Sequence, residues 1–133
     1  EVERDAEAER LGLGSSLIKV SRTSESDAYY SAFDALLLPS LFEGLPFVGI
    51  EGQAEGLPIY GSDVLPRELS ITDRILFAST DEAPSTWARR IAEGIDRYRI
   101  EERPSYAEKM RAAGFDREAC FATIAMAYRG GGR

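Results

Sequence analysis

Apolar residues fall in short blocks along this chain, separated by polar or glycine-rich stretches. Residues 1 to 12 are mostly charged and read as a helix stopped by Gly12 and Gly14, since glycine past a helix end permits a left-handed stop. Leu17 to Ser21 (LIKVS) predicts a first strand, and Arg22 to Ser26 a polar turn in which Ser26 could cap a helix running through Phe33. Leu36 to Leu38 is apolar on successive positions, the mark of a parallel strand covered on both faces. Pro46 suits the first turn of the next helix, because its missing N–H is not needed there, and that helix should end near Glu55 with Gly56 as its stop. Pro58 to Gly61 and Ile75 to Ala78 predict the third and fourth strands.

The later part turns helical. Trp87, Ile91 and Ile95 recur at helical spacing after Ser85 and should face a core. Pro104 to Ala113 and Asp116 to Tyr128 are two further helices, and the tail of residues 130 to 133 should be disordered, leaving 1 to 129 as one domain. Strands alternating with helices imply an α/β fold with a parallel, doubly wound sheet. Ligands of such sheets sit beyond the carboxyl ends of the strands, at helix N-termini. The loop from Ser40 to Pro46 occupies such a place.

Composition narrows the chemistry. The chain has 133 residues, 44% hydrophobic and 29% charged, in the ordinary range for a globular domain with a modest core. Its net charge of −7 argues against a nucleic-acid partner or a polybasic membrane contact. No apolar run approaches membrane-spanning length. Cys120 is the lone cysteine, so no internal disulfide can form and a reducing, cytoplasmic compartment is expected. There is no histidine, which removes the commonest general base and metal ligand. No Asp-x-Asp motif occurs, so no cofactor and no metal are implied. The chain begins with Glu, which suggests a piece of a longer protein.

The candidate chemistry lies in Leu36 to Asp63. Glu43 and Glu51 bracket a glycine loop and a helix start. That helix start offers unpaired N–H groups and the positive end of its dipole, to which phosphate is the natural guest. Gly44 lets backbone approach a ligand closely. Glu43 can accept bonds from sugar hydroxyls, and Glu51 lies roughly 7–8 Å further along the helix axis, about the distance from a diphosphate to its ribose. A Glu pair at this spacing also arises by chance in acidic chains, and only the flanking Gly-Pro steps raise it above that.

The segment PSLFEGLPFVGIEGQAEGLPIYGSD resembles the E-x(7)-E region of retaining GT-B glycosyltransferases, in the family 4-like group that includes exopolysaccharide and capsule enzymes. Asp34 to Ser40, Leu69 to Asp73, Ile75 to Phe77 and Trp87-Ala88 extend the resemblance over roughly residues 10 to 97. The resemblance implies a Rossmann-like sheet with flanking helices, forming part of a C-terminal nucleotide-sugar-binding domain. It implies a UDP- or GDP-sugar donor, with Glu43 beside the sugar, Glu51 on the ribose, and amides of Gly44, Leu45, Phe47 and Val48 on the diphosphate or sugar. Arg22 follows from it as a base contact, although by itself it reads as a solvated turn residue. No catalytic residue is assigned. The acceptor, a glycan or lipid-linked molecule, would be held by a missing N-terminal domain, at the inner face of the membrane in the intact enzyme.

Departures accompany the likeness. Gly49 and Gly52 stand inside the predicted helix at about 1 kcal/mol each against Ala, which implies a pliable or closely packed helix. The domain's first strands and their basic residues are missing, so the fragment alone should be inactive and its sheet should have an edge open to pairing. The alternatives are a donor-binding subunit of a two-chain transferase and a GT-B nucleotide-sugar epimerase.

Overall fold

Three short apolar segments pair in parallel at the centre of the molecule. The computed structural model describes residues 2–21, 23–99, 103–116 and 118. The strands are β1 (Leu36–Leu38), β2 (Ile59–Ser62) and β3 (Ile75–Ala78), in the order β1-β2-β3. Leu36 aligns with Ile59, and Ile59 with Ile75. Around them lie α1 (Val2–Arg10), α2 (Ser26–Ala32), α3 (Phe47–Ala54), α4 (Pro84–Arg99) and α5 (Ala107–Ala112), with a 3-10 turn at Arg67–Leu69 that the sequence did not announce. This is an α/β Rossmann-like arrangement, as expected.

Alternation along each strand sends Leu36, Leu38, Ile59, Ile75 and Phe77 toward α3, and Leu37, Tyr60 and Leu76 toward α4. The core lies on the α3 side, where Ile50, Leu65, Leu69 and Met110 form a buried cluster. Helix α3 is closely packed. A methyl group on Gly49 would come within 2.9 Å of Leu69 Cδ1, and one on Gly52 within 3.0 Å of Leu36 Cδ2. The two glycines therefore bring the helix backbone down onto the sheet. Gly56 ends α3 at φ +72°, with the Pro104 carbonyl packed against it.

Gln53 fastens α3 from within. It is fully buried, donates from Nε2 to the carbonyls of Gly49 and Leu69, and accepts at Oε1 from the backbone N–H and hydroxyl of Thr72. On the other face, α4 packs over Tyr60, whose hydroxyl lies 3.5 Å from the Ile91 carbonyl. Trp87 is half-buried and donates its indole N–H to Ser79 O at 2.9 Å.

Three expectations change. Leu17 to Ser21 is not a strand: residues 17 to 20 have no regular secondary structure and no sheet partner among the described residues, and Ile18 is 85% exposed. An apolar segment becomes a strand only by pairing with a sheet edge, and the edge strands β1 and β3 pair only with β2 among the described residues. Ser26 opens α2 without capping it, since Glu25 holds the cap position and no side chain bonds there. Pro46 is the cap residue of α3 and Phe47 its first residue. Apart from Asp116 and Glu118, the helix expected at Asp116 to Tyr128 lies outside the described residues, and so do the lone Cys120, the tail of residues 130 to 133 and Arg22. Among the described residues, no helix is long and apolar enough to cross a membrane.

Candidate functional site

The loop between β1 and α3 leaves the carboxyl end of β1 and is tied down within one residue of the Pro-Ser turn. Ser62, the last residue of β2, donates its hydroxyl to the Ser40 carbonyl at 2.6 Å. The Ser40 hydroxyl in turn donates to Glu43 Oε2 at 2.6 Å. The central strand thus fixes the loop, and the loop fixes an otherwise exposed carboxylate. Gly44 has open space where a Cβ would stand and does not adopt positive φ, so neither packing nor backbone conformation within the chain demands glycine there.

Among the described residues helix α3 begins uncapped. The Gly49 N–H donates to Pro46 O at 3.0 Å, whereas the N–H groups of Phe47 and Val48 meet no acceptor there and no side chain caps the helix. These orphan donors and the helix dipole form a region of positive potential in a chain that is otherwise acidic. Phe47 and Val48 are exposed, and so are Leu41 and Phe42 in the loop.

One turn further on, Glu51 stands on the exposed side of α3. It accepts a hydrogen bond at Oε2 from the Tyr30 hydroxyl at 2.7 Å. Burial, the hydrogen bond to Glu51 and the nearby charges of Glu51 and Asp27 together hold the Tyr30 hydroxyl well above the usual tyrosine range. Both carboxylates therefore have one oxygen engaged by a hydroxyl of this chain. Neither Oε1 has a hydrogen-bond partner among the described residues.

A depression of about 350 Å³ opens beside Glu43, lined by Glu43, Gly44, Leu45, Val64, Pro66 and Glu68. Val64, Pro66 and Glu68 come from the turn after β2 and escaped the sequence reading, as did the roles of Ser62 and Tyr30. For the turn the only advance signal was position, a Pro-Arg-Glu step just past a strand end. The structure brings Glu43, Gly44 and Leu45 to one wall and Phe47, Val48 and Glu51 onto the adjoining helix. No cluster of three metal-ligating side chains occurs among the described residues.

This arrangement, a hydroxyl-fixed loop running from a parallel strand into an uncapped helix, lies inside the span matched by a known family, described as glycosyl transferases group 1, over residues 1–97. The chain belongs to that family. It is also 34% identical over 94 residues to a Bacillus subtilis (strain 168) protein named "Putative glycosyltransferase EpsF". That alignment covers 68% of this chain and 24% of the relative, so the chain spans about a quarter of the length of the curated relative it matches. No solved structure matches it. Within the group 1 match fall β1, the Ser40–Glu43 loop, α3, β2, β3 and most of α4, whereas α5 lies beyond it.

Proposed function

We propose that this chain is the donor-binding part of a retaining GT-B glycosyltransferase, a portion of its C-terminal domain. The intact protein transfers a sugar from a UDP- or GDP-sugar to a glycan or lipid-linked acceptor in polysaccharide biosynthesis, on the cytoplasmic side of the membrane. The observation that carries this reading is the uncapped start of α3 set between two carboxylates that are each held by a hydroxyl. Membership of the glycosyl transferases group 1 family supports it.

In this reading the diphosphate sits at the α3 N-terminus, where the Phe47 and Val48 N–H groups point without acceptors and the dipole favours negative charge. Amides of Gly44 and Leu45 face the sugar or the diphosphate. Glu43, held by Ser40, accepts from donor sugar hydroxyls, and Glu51, held by Tyr30, accepts from the ribose. Charge developing on the departing diphosphate is stabilised by fixed N–H dipoles, which need no reorganisation during the reaction. The basic residues that complete this stabilisation and the acceptor site belong to other parts of the intact protein. The open edge of β1 is the place for a further strand, from elsewhere in the same protein or from a second subunit.

The test is donor kinetics of the intact protein carrying Glu51→Ala. Donor affinity and turnover should both fall, by about tenfold or more for loss of a charge-assisted hydrogen bond. Kinetics equal to those of the unaltered protein would sink the assignment.

A further inference from the structure

Tyr30 lies 21 positions before Glu51 on a different helix, yet its hydroxyl is aimed at one oxygen of that carboxylate. Its own placement is rigid. The ring is 6% exposed and meets Phe33 edge-on at 6.4 Å. The end of α2 is pinned by Arg103, which donates to the carbonyls of Tyr30 at 3.0 Å, Ser31 at 3.3 Å and Phe33. A guanidinium on the last carbonyls of a helix satisfies orphan acceptors and suits the negative end of the dipole.

Glu51 by contrast is exposed and has three rotatable side-chain bonds. Ordering such a side chain at the moment of binding costs conformational entropy. A donor fixed beforehand to Oε2 removes part of that cost and leaves Oε1 directed outward.

We propose that Tyr30 is a positioning residue for Glu51, orienting its carboxylate to receive the ribose hydroxyls of a nucleotide donor. The proposal rests on the reading of Glu51 as the ribose-binding carboxylate. Tyr30 touches no ligand itself. Its elevated pKa suits the role, because the phenol stays a donor throughout the neutral and mildly alkaline range. A purely structural hydrogen bond would dock α2 onto α3 equally well, so the test must read something docking alone does not move.

That readout is discrimination between ribose and its dideoxy form. Dissociation constants of the intact protein are measured by calorimetry for UDP, GDP and ADP, and for the 2′,3′-dideoxy form of whichever binds most tightly. Tyr30→Phe should weaken the ribonucleotide by about fivefold to tenfold and leave the dideoxynucleotide unchanged. Tyr29→Phe, at the neighbouring ring outside the site, should change neither. Equal weakening of both nucleotides by Tyr30→Phe, or weakening of neither, overturns the proposal.

Glu51→Gln separates this from the underlying reading. Loss of discrimination in Glu51→Gln with full retention in Tyr30→Phe removes the proposal alone. Retention in both removes the ribose reading and the proposal with it. Should Tyr30→Phe not fold, Tyr30→Met fills similar space without a hydroxyl and takes its place. Failure of both variants to fold assigns Tyr30 a structural role and overturns the proposal.

Discussion

Leu36, Leu38, Ile59, Ile75 and Phe77 point to α3, whereas Leu37, Tyr60 and Leu76 point to α4, and the two sets meet different neighbours. Toward α3 the helix lies backbone-close, Leu69 and Ile59 are fully buried, and a buried glutamine ties the helix to the 3-10 turn and the loop that lead into β3. Toward α4 Tyr60 and Ser62 are deeply buried, while Leu37 is 48% and Leu76 41% exposed. The candidate site grows from the first face. A ligand grip needs a helix start fixed to within fractions of an ångström, and dense packing with a satisfied polar network supplies that. The α4 side contributes to the site through Ser62, whose hydroxyl holds the Ser40 carbonyl of the Glu43 loop, and otherwise supports the sheet.

The largest expected effect tests the network. Gln53→Leu keeps an apolar shape but strands the Leu69 carbonyl and the Thr72 N–H and hydroxyl in a buried place. At roughly 1–3 kcal/mol per unsatisfied group, stability should fall by about 3–5 kcal/mol in urea unfolding. Donor affinity should fall with it in whatever fraction remains folded. A loss below about 1 kcal/mol would mean that apolar packing alone holds α3, and the contrast between the faces would lose its cause.

The next effect probes the α4 face at its one tight point. Replacing a helical glycine by alanine ordinarily gains about 1 kcal/mol. At Gly94 the new methyl would stand 1.7 Å from the Tyr60 hydroxyl oxygen and 2.9 Å from Cζ, against a ring that is 3% exposed. Gly94→Ala should therefore destabilise by about 1–3 kcal/mol, the usual range for overpacking. Adding Tyr60→Phe removes the worst contact and should restore part of the loss. Because neither Gly94 nor Tyr60 touches the loop or helix start that carries the proposed donor contacts, nucleotide affinity per folded molecule should stay the same, unlike in Gln53→Leu.

Much of the α3 face was legible in advance. Leu36–Leu38 and Ile75–Ala78 have the boundaries their apolar runs implied, and β2 is displaced by one residue to Ile59–Ser62. Gly56 stops α3 where a left-handed stop was expected. Local chemistry determines these features, so local reading finds them. Leu17 to Ser21 carries three apolar residues in five, but strand formation there depends on a neighbour that sequence periodicity does not specify. The site divides in the same way. The loop and helix start were readable because turn and helix signals are local. Tyr30, Ser62 and Glu68 were not, because each joins the site through tertiary folding from another element.

The smallest effect compares two tyrosines, one on each side. Tyr30 is raised by burial first, then by its bond to Glu51 and the charges of Glu51 and Asp27. Tyr60 is raised by burial first, then by Tyr98. A folded-state pKa above the unfolded value of about 10 contributes stability that is fully present below that pH. Above it, the unfolded chain releases a proton that the folded chain retains, so stability falls until the folded pKa is passed. At pH 11 the loss is at most about 1.4 kcal/mol for each such group. Stability of the unaltered protein should therefore decline from pH 10 upward, and Tyr30→Phe and Tyr60→Phe should each flatten the decline. Each variant should remove its share of the decline in urea titrations at pH 9, 10 and 11, and a decline left unchanged by either substitution would mean that the folded state does not hold that tyrosine up.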